Sequence, residues 1–384
     1  MVKTNRLLGG VLLVAGTSIG AGMLALPVVT SFAGFIPSFF TLILCWLFMF
    51  ITAHLMLKVN LACPGDANMI TMAGRTLGAP GKIICWIVYL LLLYSLTAAY
   101  IAGCAPLFLY GMKALFGSAV PPWTGPFPLL ILFGFFVYFG IKTVDYVNRL
   151  LMIGLVLSYV ALIVFLPAEV QGPLLAHVDV AASWLAIPVI FTSFGFHIVI
   201  PSLSTYLHHD AKKLRQAIAI GSLIPLFVYL AWVFLVLGVV PLPSLRRAWE
   251  EGQSATIALG VILANPWIST VASAFAFFAM ITSFLGVSLS LSDFLGDGLK
   301  LHRFTWGREL ACVITFFPPL VFVLTYTRGF LLALQYAGLF VAILLGVLPA
   351  LMAWKLPAYK RLKGRVGLSL LILIALFVGG LSIV

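Results

Sequence analysis

Apolar runs of about twenty residues recur from one end of this chain to the other, each able to cross a hydrocarbon core of about 30 Å as an α-helix. Hydrophobic residues fill 63% of its 384 positions and charged residues 8%, a balance foreign to water-soluble domains of this size. An unpaired backbone group in lipid costs several kcal/mol, so a spanning segment is either a helix or part of a closed barrel. A barrel needs segments of about ten residues with alternating character, and none is visible. The fold class is therefore an all-α polytopic membrane protein. Eleven transmembrane helices are expected, at about 7–34, 36–58, 82–112, 127–144, 148–167, 184–207, 217–240, 266–296, 306–326, 329–355 and 366–384.

The chain starts with Lys3 and Arg6 and then turns apolar, as a signal peptide would, but the run is too long and lacks a cleavage site. It is read as the first span. With the N-terminus in the cytoplasm, eighteen of the 22 Lys and Arg residues fall inside, and only Lys113, Arg246, Arg247 and Arg328 fall outside. The +12 formal charge thus encodes orientation in a lipid bilayer, with no nucleic acid as partner. An odd number of spans puts the C-terminus on the outer, periplasmic side. Four of the five cysteines lie inside spans, and no spacing suggests a disulfide or a zinc site. The inner loop from Asn60 to Lys82 holds an amphipathic piece ending at Gly78-Ala79-Pro80-Gly81. The outer loop from Pro241 to Pro266 holds a stretch, Pro243 to Trp249, that reads as a capped surface helix. No linker divides the chain, so 1–384 is read as a single transmembrane domain.

The first span is irregular. Gly9, Gly10, Gly16, Gly20 and Gly22 precede Pro27 within it, and each glycine costs a helix about 1 kcal/mol. Irregular backbone persists at membrane depth only where it lines a protein cavity, so a break is expected from Thr17 to Gly22. The sixth span carries a second interruption in Phe191-Thr192-Ser193-Phe194-Gly195-Phe196-His197, followed by Pro201. The two lie five spans apart, and an odd repeat inverts topology. Inverted repeats of about 7–167 and 184–355, with an extra helix at about 366–384, would set both breaks at a midplane substrate site.

Where a discontinuous helix restarts, its unpaired N–H groups carry about half a positive charge. Gly20, Ala21 and Gly22 are thus suited to a carboxylate. Carbonyls of the preceding half, at Thr17 and Ser18, suit an ammonium or a small cation, as do those of Ser193, Phe194, Gly195 and Phe196. A ligand with both charges is an amino acid. Gly20-x-Gly22-x-x-Ala25 has the outline of a dinucleotide fingerprint but lacks its strand and βαβ unit, and no cofactor is implied. In the eighth span, Ala279, Thr282 and Ser283 offer oxygens which, with the carbonyls of Gly16 and Ile19, would form a Na+ site. The alternative is that both hydroxyls bond one turn back. His197, at mid-span, and His54 are rare intramembrane ionisable groups, suited to exchanging H+ or else held neutral by backbone. In the third span Tyr94, Thr97 and Ala98 share a face that would close over the ligand; Tyr100 lies nearby. Asp293 and Asp297, at the inner end of the eighth span, would gate by pairing with Arg6 or Lys3, or form an ordinary interfacial pair.

These residues also carry a likeness. Ala15 through Ala25 to Pro27, Leu96-Thr-Ala-Ala-Tyr100, Ala186 through His197 with Pro201-Ser202, Thr282 through Val287, Pro318-Pro319, Arg328-Gly329-Phe330 and Tyr336-Ala-Gly338 resemble the hydroxy and aromatic amino acid permease family. The resemblance covers nearly the whole chain. It implies the 5+5 inverted-repeat fold of the amino acid–polyamine–organocation superfamily, similar to the leucine-transporter fold, with helices 1 and 6 discontinuous. It implies inward symport of an aromatic amino acid, tyrosine foremost, across a bacterial inner membrane, with His197, Tyr94 and Phe196 shaping the side-chain pocket. Sodium-coupled relatives of the fold place a sodium site where Ala279, Thr282, Ser283, Gly16 and Ile19 stand, whereas the family itself is described as proton-driven. The coupling ion is thus H+ or Na+. Ser292-Asp293-Phe294 stands where the family commonly has Phe-Asp-Tyr, and Ile198 where it commonly has Gly, the latter a departure that bears on the choice among tyrosine, tryptophan and phenylalanine. An enzyme would need a His or Asp cluster within the spans, and there is none. The rival readings are an exchanger without net ion coupling and a membrane sensor that does not transport.

Overall fold

The computed structural model describes residues 6–382 except 118, 264 and 327, and the side chain at 302 is also left aside. Among the described residues, ten helices are long and apolar enough to cross a membrane, and the pair Arg6–Ser18 and Gly22–Thr30, bent by 54°, makes an eleventh span. In order, span 1 is that bent pair, span 2 is Phe35–Ala62, and span 3 lies within Met69–Phe116. Spans 4 to 7 are Pro122–Phe139, Ile141–Glu169, Ala181–Tyr206 and Ala211–Val239, and spans 8 to 11 are Pro266–Gly298, Gly307–Thr325, Gly329–Trp354 and Leu362–Leu381. The eleven expected spans are all present.

The 48-residue helix Met69–Phe116 is two pieces in one. Gly78, at φ 76° and ψ −165°, occupies a region open to glycine alone and separates the amphipathic start from span 3. The Asn68 side chain caps the start by accepting from the Thr71 N–H at 2.9 Å.

Lipid tails are as apolar as leucine, so close packing rather than the hydrophobic effect joins spans to one another. Burial divides them into an inner and an outer set. The apolar stretch of span 10 is 61% buried and those of spans 6, 7 and 8 are each 56% buried, against 22% for spans 5, 9 and 11. The first half of span 1 lies against span 7, and its second half lies against spans 6 and 7. Span 3 packs on spans 8 and 10, and span 5 on span 8. A broken helix in lipid needs neighbours at its break, and span 7 packs along both halves of span 1.

Between spans 7 and 8 the chain forms two short helices, Leu242–Glu250 and Ala255–Ile262. The first has no side-chain cap and starts instead on Pro241. It does lie at the surface with one face, where Arg246, Arg247 and Glu250 are exposed, and turns the other inward. Leu245 and Ala248 are buried, both short helices contact the second half of span 1, and the Trp249 ring meets Phe32 edge-on at 5.6 Å. An amphipathic helix with an apolar face needs a cover for it, and the top of span 1 provides one.

Candidate functional site

Span 1 stops being helical at Ser18 and restarts at Gly22. The last regular bond is Ile19 N–H to Ala15 O at 3.0 Å; the next turn begins with Met23 N–H to Gly20 O and Leu24 N–H to Ala21 O, both 3.1 Å. Among the described residues the Gly20 and Gly22 N–H groups have no acceptor, while Ala21 N–H donates to Ser283 Oγ of span 8 at 3.0 Å. A side chain at Gly20 would sit 2.5 Å from that oxygen, and one at Gly22 would sit 3.0 Å from Ser193 Oγ. The glycines thus admit two neighbouring helices to the break. Span 6 breaks more tightly. Its first half ends at Ser193, Phe194 and Gly195 form a turn, a 3-10 turn covers Phe196–Val199, and Ile200–Tyr206 resumes the α-helix.

Both first halves end at the centre of the bundle with carbonyls lacking an intrahelical partner. The hydroxyl of Tyr229 in span 7 reaches both, donating to Ser18 O and to Ser193 O, the latter at 2.8 Å. Its ring is fully buried and packs on Phe194, with centroids 5.1 Å apart.

Beside the break lies a cavity of about 320 Å³. Span 1 lines it with Gly16, Thr17 and Ile19, and span 8 with Thr282, Ser283 and Gly286. Span 3 adds Tyr89 and Tyr100, span 5 adds Asn148 and Met152, and span 6 adds Ile198 and Val199. Most of these belong to the half of each span nearer the N-terminal face, and Gly16, Thr17, Gly286 and Ser290 along the wall are exposed. On the other side the second half of span 1 is buried from Met23 to Thr30. The cavity thus lies on the N-terminal side of the break, beyond which the second half of span 1 is buried.

A model of the tryptophan/tyrosine permease family matches residues 3–383. The chain belongs to that family. It is 36% identical over 358 residues to tyrosine-specific transport system 2 of Haemophilus influenzae, covering 91% of this chain and 88% of that one. Tyrosine-specific transport system 1 of the same organism is 35% identical over 383 residues, covering 98% and 95%. A tryptophan-specific transport protein, also from Haemophilus influenzae, is 32% identical over 367 residues, covering 91% and 88%. Among solved structures, a manganese transporter from Eremococcus coleocola superposes with a TM-score of 0.63 at 15% identity, covering 98% of this chain and 87% of that one. That likeness speaks to fold alone: leucine-transporter-like, with helices 1 and 6 discontinuous.

Within this permease, four of the five residues read as a cation site line the cavity. Gly16, Ile19, Thr282 and Ser283 line one cavity, and Ala279 is buried one turn from Thr282. Thr282 Oγ1 also bonds back, donating to Phe278 O at 2.8 Å or Ala279 O at 3.2 Å. A hydroxyl that donates backward keeps its lone pairs, so this donor set fits a hard cation.

Other expected residues lie elsewhere. Tyr94 donates to Ile314 O of span 9 at 2.9 Å, and Tyr94 and Ala98 border a separate space of about 250 Å³ with Pro318, Pro319 and Tyr336. Thr97 is buried and donates to Leu93 O at 2.8 Å. The face of span 3 that meets the cavity is the neighbouring one, carrying Tyr89, Leu93, Leu96 and Tyr100. Phe194 and Phe196 are fully buried, as is His197. His197 Nε2 lies 2.9 Å from Thr52 Oγ1 of span 2. Thr52 Oγ1 also has Phe48 O and Met49 O within reach, and His197 Nδ1 has no partner among the described residues. The imidazole ties spans 6 and 2 rather than facing the cavity, which Ile198 and Val199 face instead. His54 donates from Nδ1 to Phe50 O at 2.9 Å, a bond within its own helix.

The expected inner gate is not formed. Arg6, Asp293 and Asp297 are exposed, and among the described residues no ion pair joins Arg6 to either carboxylate. An ion pair between exposed side chains would contribute only about 0–1 kcal/mol. Lys3 lies outside the described residues.

Sequence reading passed over Tyr229 and Asn148. Asn148 brings a buried amide oxygen without a partner to the cavity wall. Tyr229 had a signal: a tyrosine at mid-span must find a partner for its hydroxyl, and backbone left free at a break is one.

Proposed function

We propose that this permease imports an aromatic amino acid, tyrosine foremost, by alternating access coupled to H+ or Na+. The observation that carries the reading is the meeting of two interrupted spans at the centre of the bundle, beside a cavity on the N-terminal side of the break. The free N–H groups of Gly20 and Gly22 suit a carboxylate, and the carbonyl ends of the first halves suit an ammonium. Leu93, Leu96, Met152 and Val287 give the cavity an apolar wall for a ring. The tyrosine- and tryptophan-specific relatives support the aromatic class. The excess of Lys and Arg on the N-terminal side supports a cytoplasmic N-terminus and an inner-membrane setting, so the cavity faces inward. The oxygens of Gly16, Ile19, Ala279, Thr282 and Ser283 are the proposed seat of a coupling Na+. No bond of the substrate changes in this cycle.

Counterflow of labelled tyrosine into proteoliposomes tests the reading, followed by net uptake under a sodium gradient alone and a pH gradient alone. Counterflow plus accumulation under one gradient is expected. Binding without counterflow identifies a sensor, and counterflow without accumulation under either gradient identifies an exchanger.

A further inference from the structure

We propose that the groove between spans 10 and 11 on the N-terminal face is a binding site for an anionic phospholipid. Leu77 of the amphipathic start, Leu351 and Trp354 of span 10, and Ile372 and Leu373 of span 11 line a space of about 510 Å³ there. Lys355 and Ser369 complete its lining. Both walls change character in the same order with depth. Along span 10, Lys355 stands outermost, Trp354 next, and Leu351 one turn, about 6 Å, deeper. Along span 11, Arg365, Ser369 and Leu373 follow at intervals of four on one helical face. Cation, then aromatic ring or hydroxyl, then aliphatic chain is the order of phosphate, glycerol ester and acyl tail in a leaflet, and tryptophan favours that boundary.

The positive charge at the mouth of the groove is in excess. Five of the eleven residues from Lys355 to Arg365 are Lys or Arg, and no Asp or Glu follows Glu309 in the chain. All five are exposed. Elsewhere on this face Arg149 pairs with Asp145 at 2.8 Å and Lys213 with Asp210 at 3.1 Å. Among the described residues, none of the five is in an ion pair. Their connection is nonetheless held in place. Arg365 lies over the Trp354 ring, 5.9 Å from its centroid, and Lys58 of span 2 donates to the Tyr359 hydroxyl at 2.8 Å. A basic pocket between spans at headgroup depth attracts anionic lipid, and the apolar groove below it receives a tail. Nothing in this site depends on what the permease carries.

The full chain, purified in detergent, is titrated with phosphatidylglycerol and with phosphatidylcholine of the same acyl chains, and bound lipid is counted by native mass spectrometry. Glycerol phosphate serves as a headgroup without tails. Phosphatidylglycerol is expected to bind about tenfold more tightly than phosphatidylcholine. The double variant Lys355→Gln, Arg365→Gln weakens phosphatidylglycerol about thirtyfold. Ser369→Trp, which fills the groove and keeps the charges, weakens it about tenfold, and Arg149→Gln, on the same face, leaves it within about twofold. Equal binding of the two phospholipids, an unchanged affinity in the double variant, or an equal loss in Arg149→Gln overturns the proposal. So does glycerol phosphate binding as tightly as phosphatidylglycerol, the mark of a loop site for free phosphate. A dimer that forms without bound lipid and is abolished by Ser369→Trp gives the groove to a second copy and also overturns it. If Ser369→Trp does not fold, the variants at exposed charges decide alone.

Discussion

The two breaks differ in what surrounds them. The break in span 1 bends the chain by 54°, borders a cavity through Gly16, Thr17 and Ile19, and leaves two amides without acceptors. The break in span 6 leaves both halves within one apolar span, Ala181–Tyr206. Phe194 N–H bonds to Ile190 O and Phe191 O, Gly195 N–H bonds to Thr192 O, and Phe191, Phe194 and Phe196 are buried around the turn. One break is exposed chemistry and the other is packed structure. A pair of interruptions at matching places in a repeat therefore need not divide the work evenly. Backbone on the cavity side meets the ligand, and backbone sealed in aromatic rings fixes where that meeting takes place.

The sharpest way to break this comparison is to fill span 1 at its opening. Gly20→Leu drives a branched side chain into Ser283 Oγ, already 2.5 Å from where its first carbon would sit. Uptake of labelled tyrosine is expected to fall about a hundredfold, the equivalent of some 3 kcal/mol of lost binding, with membrane abundance retained. Normal uptake by Gly20→Leu would remove the ligand from this break. Ser283→Ala is milder. It deprives the Ala21 N–H of its acceptor, and an unmet buried donor costs about 1–3 kcal/mol. KM is expected to rise about tenfold at saturating coupling ion. If Ser283 also binds that ion, the ion concentration giving half-maximal uptake rises too.

Changes at span 6 should register as stability rather than transport. Thr52→Val preserves shape but removes the hydroxyl that pairs with His197 Nε2. The expected cost is about 1–3 kcal/mol, seen as a melting midpoint lowered by a few degrees in detergent, with uptake per molecule within about twofold of wild type. A large loss of uptake at unchanged stability would instead make His197 part of the transport chemistry and close the gap between the two breaks.

What was legible beforehand follows the same division. The eleven spans and both breaks announce themselves through long apolar runs and through glycine and proline placed where a helix resists them. The faces of the spans do not. In span 3 nearly every residue is apolar, so the 3.6-residue period offers no contrast between cavity and neighbour; Tyr94 and Tyr100 look alike on the page. Thr282 was readable as ion ligand or as a back-bonded hydroxyl because its geometry satisfies both. The Arg6 pairing with Asp293 or Asp297 could not be read at all, since contacts between distant ends of a moving bundle depend on its state.

The smallest expected effect sharpens the comparison by serving as its control. Tyr94 is, like Tyr229, a tyrosine whose hydroxyl donates to a backbone carbonyl of another span, but its acceptor, Ile314 O, belongs to span 9 and to neither break. Tyr94→Phe removes one neutral hydrogen bond, worth about 0.5–1.5 kcal/mol, beside a space separate from the cavity. Tyrosine KM and the preference for tyrosine over tryptophan are expected to stay within about twofold of wild type, with at most a slight fall in melting midpoint. Loss of a phenol in the membrane would then be tolerable in itself, and any effect at Tyr229 would come from the two carbonyls it serves. Should Tyr94→Phe instead change substrate preference, the ring-binding wall would extend to the space under spans 9 and 10, and the cavity beside span 1 would hold only part of the ligand.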